Sequence, residues 1–151
     1  MVVLDDMDIK ILKLLELNGR MSHEEIAKKL NISRPAIHQR VSKLEKNKII
    51  KGYKTDIDWN AVGQVIRAII FINIHTLDFN KAMKEIINLK VPGLTIEECY
   101  RITGQWCIML KIRAEKTDQL TLLHDELLKM EGMLDTFTIL ILSEMEREKS
   151  V

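Results

Sequence analysis

The sequence predicts an α+β protein, with an N-terminal (winged) helix-turn-helix domain joined to a C-terminal ferredoxin-like βαββαβ domain. Two observations support this prediction. Apolar residues at helical spacing, with capping signals between them, fill the first third of the chain, and strand-like and helical segments alternate through the rest. The 151 residues suffice for two small domains. We expect the first domain over residues 1–48, a strand linker over 49–63, the second domain over 64–144 and an exposed tail over 145–151.

Three helices are predicted in the first third. The first spans residues 5–18, where apolar residues recur at helical spacing. Ser22 and Glu25 stand three residues apart as a capping box, which begins the second helix. Ser33 caps the third helix, whose inward residues have i, i+4, i+7 spacing: Ile37, Val41 and Leu44. Two short helices joined by so brief a turn are typical of a helix-turn-helix.

The inward stripe of the third helix leaves its polar residues facing solvent. In this motif the second of the two helices lies in the major groove, where polar side chains contact base edges. The candidates for these contacts are Ser33, Arg34, His38 and Gln39.

The net charge of the chain is only +1, but the charge is unevenly distributed. Residues 28–54 hold nine Lys and Arg residues against one acidic residue, which gives this segment a charge of +8. A basic segment on and beside a recognition helix attracts DNA phosphates. Double-stranded DNA is therefore the predicted partner, although a solvated surface position remains the alternative for any single lysine. The phosphate candidates are Arg40, Lys43, Lys46 and Lys51.

The remaining two thirds of the chain predict four strands and two helices. The expected order is strand, helix, strand, strand, helix, strand, over residues 64–75, 79–89, 94–102, 106–112, 117–130 and 137–142. This is the ferredoxin-like order, in which the helices cover one face of the sheet. The aliphatic run at residues 69–72 indicates that a second copy covers the other face, so we expect a homo-oligomer.

Catalytic, metal and membrane functions are not expected. Cys99 and Cys107 lack the Cys-x-x-Cys spacing of zinc sites, and no Ser/His/Asp or paired-carboxylate arrangement is evident. The N-terminus has no basic, apolar leader, and no stretch approaches the roughly 18 apolar residues of a membrane span. We therefore expect a cytoplasmic protein without enzymatic activity, resident metal or cofactor.

A series of short motifs runs through the whole chain in a specific order. They are Leu4-Asp5 with Asp8 and Ile11-Leu12, Gly19-Arg20-Met21-Ser22, Ile26-Ala27, Ile32-Ser33, Arg40-Val41, Leu44-Glu45, Ile50-Lys51-Gly52-Tyr53, Glu98 to Gly104, and Gly132 with Thr136-Phe137-Thr138. In this order they resemble the leucine-responsive regulatory protein/AsnC (feast/famine) family of transcription regulators. The resemblance implies a nucleoid-associated, DNA-binding protein whose dimers assemble into octamers or similar multimers. It also implies that a small effector, usually an amino acid, binds where dimers meet.

The resemblance also implies an effector site, but with altered chemistry. In the family the hairpin turn is typically Thr-Gly-x-x-Asp, and here Cys107 stands where the family has the aspartate. Without a fixed anion for the amine, we expect the response to ordinary amino acids to be weakened or retuned. Two other functions remain open: an architectural DNA-organising protein without effector, and an enzyme like the sirohaem decarboxylases. The candidate effector residues are Tyr100, Thr103, Gly104, Gln105, Trp106, Cys107, Thr136 and Thr138.

Overall fold

The computed structural model describes residues 3–145, which form two compact units. The first unit extends to Asp56, the second begins at Ile57, and each has its own hydrophobic cluster. Met145, the first residue of the expected tail, is exposed, and the rest of that tail lies outside the described residues.

The first unit contains the three predicted helices, α1 (Asp6–Leu17), α2 (His23–Leu30) and α3 (Arg34–Lys46). The capping box that begins α2 is confirmed: Ser22 Oγ accepts the Glu25 N–H at 3.2 Å, and Glu25 Oε2 accepts the Ser22 N–H at 2.7 Å. Asn31 takes the left-handed conformation, with φ 54°, that the tight turn to α3 requires. The fully buried side chains of this unit come one from each helix: Ile11, Ile26 and Ile37.

Within residues 3–145 of the single chain, residues 49–63 form neither a wing nor a paired strand. The backbone N–H groups of Ile49 and Ile50 both donate to the Leu44 carbonyl, at 2.9 and 3.2 Å, so the chain folds back on the end of α3. A strand needs a paired neighbour, and this segment has none among residues 3–145. The segment is divided between the units: Tyr53 donates its hydroxyl to Glu45 Oε1 at 2.9 Å in the first unit, and Trp59 belongs to the second.

The second unit has the predicted order of strands and helices. Its sheet is antiparallel throughout, with strand order β2-β3-β1-β4, and the ferredoxin-like arrangement is confirmed. The elements are β1 (Ile66–Ile74), α4 (Phe79–Ile87), β2 (Leu94–Arg101), β3 (Ile108–Ala114), α5 (Asp118–Leu128) and β4 (Met133–Leu140).

The two faces of this sheet differ in their cover. Alternate residues of β1 and β3, such as Ile70 and Leu110, are fully buried in a cluster with Ile86 of α4 and Leu123 of α5. The intervening residues lie on the opposite side, which we call the open face; its apolar members include Ile69, Phe71, Phe137 and Ile139. Phe137 is 50% exposed in the single chain.

The last strand begins earlier than predicted, at Met133 rather than Phe137. The reason is a sharp turn at Gly132, whose φ of 81° is accessible to glycine and strained for other residues. The Gly132 carbonyl accepts the His75 N–H at 2.8 Å, so β4 is already held beside β1 where the turn ends.

Candidate nucleic-acid interface and ligand site

The N-terminal half of α3 presents the predicted base-contact residues to solvent. Ile37 is fully buried beneath them. Ser33 is the N-cap, and its Oγ accepts the Ala36 N–H at 3.3 Å. Its hydroxyl proton stays available for a donor bond, since the cap uses only a lone pair. All four residues are exposed: Ser33, Arg34, His38 and Gln39.

One residue on this surface was missed at the level of sequence. His23, the first residue of α2, has its ring centroid 5.3 Å from that of His38, with the ring planes at 52°. His38 is exposed and His23 is partly exposed. Their proximity depends on how α2 crosses α3, and no spacing in the sequence reports it. The exposed surface of α3 therefore extends onto the start of α2.

Three of the four phosphate candidates are free to meet DNA. Lys43, Lys46 and Lys51 are exposed, and none forms an ion pair within the described part of the chain. Lys28, by contrast, pairs with Glu24 on α2 at 2.9 Å. Unpaired lysines therefore lie on α3 and just after it, but the number of unpaired cations in residues 28–54 is smaller than the sequence count of nine.

Arg40, the fourth phosphate candidate, forms ion pairs within the first unit. Its guanidinium donates to Asp5 Oδ2 and to Asp8 Oδ1, both at 2.7 Å, and Asp8 is the one buried charged residue among those described. These carboxylates also cap α1, because Asp5 and Asp8 form its capping box. Both carboxylates therefore engage the guanidinium, so Arg40 links α3 to the start of α1.

The pKa of the Asp5 carboxyl is lowered by this arrangement. The main cause is the Asp8 N–H, which donates to the carboxylate, and the second is the hydrogen bond from Arg40. Both donors favour the charged form of Asp5.

In the second unit, the candidate ligand residues of the hairpin turn form one exposed edge. Thr103, Gly104 and Gln105 are exposed, and Gly104 has φ 115° with open space around it. Trp106 stacks on Phe137, with centroids 6.0 Å apart and planes at 17°. The Trp106 ring centroid also lies 6.3 Å from that of Phe71, so Trp106 belongs to the open face.

The flanking residues Tyr100 and Cys107 supply no free anion. The Tyr100 hydroxyl donates to Glu98 Oε2 at 2.7 Å, and this bond is the main reason why its pKa is raised. Cys107 Sγ donates to Asn73 Oδ1 at 3.4 Å. Cys107 therefore has a side-chain partner on β1, and no carboxylate stands at the position of the family aspartate.

Thr136 and Thr138 lie on the other side of the sheet. In the register of β1 and β4, Thr138 is opposite the buried Ile70, whereas Phe137 points to the open face. Their hydroxyls contact the two ring nitrogens of His124 on α5, at 3.0 Å for Thr136 and 2.8 Å for Thr138. Within one chain, therefore, the structure does not bring these threonines together with Trp106.

No three His, Cys, Asp or Glu side chains among residues 3–145 come together in a group that could hold a metal ion. In the same range, no helix combines the length and the apolar character needed to cross a membrane.

Comparison with known proteins agrees with this arrangement in both units. The model of the AsnC-type helix-turn-helix domain matches residues 4–45, and that of the Lrp/AsnC ligand binding domain matches residues 71–151. The HTH-type transcriptional regulator LrpC of Bacillus subtilis is 33% identical over 143 residues, which cover 95% of this chain and 94% of that protein. The leucine-responsive regulatory protein of Haemophilus influenzae is 30% identical over 146 residues, covering 95% and 87%.

Solved structures show the same fold over nearly the whole chain. B. subtilis LrpC superposes with a TM-score of 0.77 at 32% identity, covering 97% of this chain and all of that one (100%). E. coli AsnC gives 0.81 at 26% identity, covering 99% and 100%. The chain therefore belongs to the Lrp/AsnC family of transcriptional regulators.

Proposed function

We propose that this regulator reads double-stranded DNA in a sequence-specific manner with the exposed surface of α3. The observation that carries the proposal is the grouping of donors and acceptors at the start of α3 beside unpaired cations farther along. Arg34 and Gln39 have the groups that pair with base edges, and Lys43 has a free charge for the backbone.

The test is the contrast between two variants, measured by fluorescence anisotropy on duplexes selected from a random pool. Arg34→Ala should lower the preference for selected over mixed-sequence DNA by about 1–3 kcal/mol. Lys43→Ala should weaken all duplexes alike and reduce the salt slope by about one. Lys116→Ala, at an exposed lysine of the second unit, serves as the matched control. Affinity and selectivity that survive both changes would refute the assignment.

The same assay separates operator recognition from an architectural role. An architectural protein binds mainly through electrostatics, so selected and mixed-sequence duplexes would compete equally at every salt concentration. A sequence-specific regulator keeps a preference that persists as salt rises. The proposal predicts the second result, together with co-localisation of a fluorescent fusion with the nucleoid in the cytoplasm.

We further propose that copies of the chain associate through the open face into dimers and then into octamers or similar multimers. Support comes from the exposed aromatic surface of Phe137 and its stacking with Trp106, because apolar patches of this kind favour burial by a partner. Light scattering should show smaller species for Phe137→Lys. Leu77→Lys, at a fully exposed leucine outside the open face, should leave the assembly unchanged.

A small-molecule effector bound by residues 100–107 of one chain, with Thr136 and Thr138 of another, is the third part of the proposal. Cysteine in place of the family aspartate supports weak or altered binding of ordinary amino acids, because residue 107 has no carboxylate to meet the amine. Calorimetry against the twenty amino acids should therefore show weak heats for the natural chain. Cys107→Asp should strengthen binding about tenfold through a charge-assisted bond, whereas the neutral Cys107→Asn should not. Tight binding of an ordinary amino acid by the natural chain would contradict this part.

A further inference from the structure

Two histidine rings lie together on the surface proposed to meet DNA. His23 is the first residue of α2, His38 lies in the second turn of α3, and their centroids are 5.3 Å apart. His38 is exposed and His23 is partly exposed, and neither belongs to the hydrophobic cluster of the first unit. Histidine is the side chain whose charge ordinarily changes between about pH 5 and 8.

Acidic side chains of α2 and at the start of α1 already have partners. Beside His23, Glu24 pairs with Lys28 at 2.9 Å, and Glu25 Oε2 accepts the Ser22 N–H at 2.7 Å. Arg34, on α3, acts electrostatically on Glu24 as well. On α1, the capping carboxylates Asp5 and Asp8 are bound to Arg40. Each of these four carboxylates therefore already has a cationic or backbone N–H partner.

When both rings carry a proton, the free protein has two positive charges close together. One of them, on His23, also lies at the N-terminal end of a helix, where the helix dipole is positive. A DNA phosphate beside the pair offsets the repulsion between the two rings and the repulsion between His23 and the helix end, because it brings negative charge to the same place. Protonation and DNA binding then favour each other, as linkage requires.

We propose that His23 and His38 form a proton-binding pair at the DNA surface, so that binding takes up protons and tightens as the pH falls. This inference rests on the proposed DNA-binding function. It adds His23 to the residues that face DNA, and it makes the occupancy of DNA sites depend on pH. Two imidazoles without a third ligand do not complete a metal site, so the pair is suited to bind a proton and not a metal ion.

The experiment measures the affinity of the full chain for a labelled, mixed-sequence 30-base-pair duplex between pH 6.0 and 8.0. Ionic strength is held constant, and EDTA removes metal ions that could bridge the rings. One fully linked proton changes affinity by about tenfold per pH unit. We expect the natural chain to bind about five- to twentyfold more tightly at pH 6.0 than at pH 8.0.

Variants then assign this dependence to the pair. His23→Gln and His38→Gln should each flatten the pH profile, and the double variant should bind with nearly constant affinity. His75→Gln, at an exposed histidine of the second unit, should keep the full dependence. Circular dichroism at each pH verifies that the variants are folded.

Each outcome decides the question. A flat profile for the natural chain, or an equal profile for the double variant, would refute the histidine pair while leaving DNA binding intact. Loss of affinity by the same factor at every pH in His38→Gln would make that residue a neutral base reader, which also overturns the inference. Absence of DNA binding at all pH values would refute the proposed function and the pair with it.

Discussion

Replacing Arg40 by methionine tests whether this residue is a structural link or a phosphate ligand. In the structure its guanidinium donates to two carboxylates of the α1 capping box, both at 2.7 Å. Methionine keeps much of the aliphatic stem but removes the charge, and so leaves Asp8 buried without its cationic partner. The variant should therefore destabilise the first unit.

The magnitude follows from the burial of the pair. The side chain of Asp8 is 8% exposed, and that of Arg40 is 34% exposed. Breaking a fully buried pair costs about 3–5 kcal/mol. Partial exposure of Arg40 reduces this cost, and Asp8 Oδ2 keeps the Asp5 N–H at 3.2 Å. We expect a loss of about 2 kcal/mol, or roughly a 30-fold change in the folding equilibrium constant.

The assay must report the first unit specifically. Both tryptophans, Trp59 and Trp106, lie in the second unit, so tryptophan fluorescence does not follow α1 to α3. Hydrogen exchange of the α1 amides does, and their protection should fall about 30-fold in Arg40→Met. Lys43→Met, at an exposed position of the same helix, should change stability by less than about 0.5 kcal/mol.

A second substitution sharpens this test. Replacing the buried carboxylate as well, in Asp8→Leu/Arg40→Met, removes the unpaired charge and should recover much of the stability. If α1 protection is unchanged in Arg40→Met while the salt slope of DNA binding falls by about one, the link is refuted. Arg40 would then be the phosphate ligand that the sequence predicts.

Two further predictions concern pH and backbone geometry. The pKa of Asp5 is lowered in the folded state, so ionised Asp5 stabilises the first unit at pH values above the ordinary carboxyl pKa of about 4. This stabilisation is lost as the pH falls through the lowered pKa, and the protection of the α1 amides should decline in that range. Asp5→Asn should flatten the decline. Gly132→Ala should destabilise the second unit by about 3 kcal/mol or more, seen as a lower urea midpoint by tryptophan fluorescence, because its Cβ would collide with the His75 carbonyl. Gly63→Ala, with a similar φ but open space, should cost only about 1–2 kcal/mol.

Local signals in the sequence account for the helices of the first unit. The Ser22 and Glu25 capping box acts over three residues, so its spacing alone predicts where α2 begins. The roles of Arg40 and His23 were not predictable in this way, because each depends on a contact between helices. Arg40 meets carboxylates more than thirty residues away in sequence, and residue type alone suggested a free cation.

The positions of the candidate ligand residues in the sheet were also not predictable from the sequence. Thr136, Phe137 and Thr138 are adjacent in sequence, but strand geometry sends Phe137 to one face and its neighbours to the other. The resemblance to the family grouped them by position along the chain, without the register of β4 on β1. The start of β4 at Met133 was not predictable either, because it depends on the turn at Gly132 and on the hydrogen bond from the His75 N–H to the Gly132 carbonyl.

The two hydrophobic clusters have no residue in common among those described. Changes at the surface of α3 therefore leave the packing of the sheet untouched, and changes in the hairpin turn leave the helices untouched. In evolutionary terms, substitutions can accumulate in one cluster without requiring compensating substitutions in the other. The two halves of such a chain can therefore change independently. A chain with the turn Gln105-Trp106-Cys107 can keep the fold of α3 unchanged.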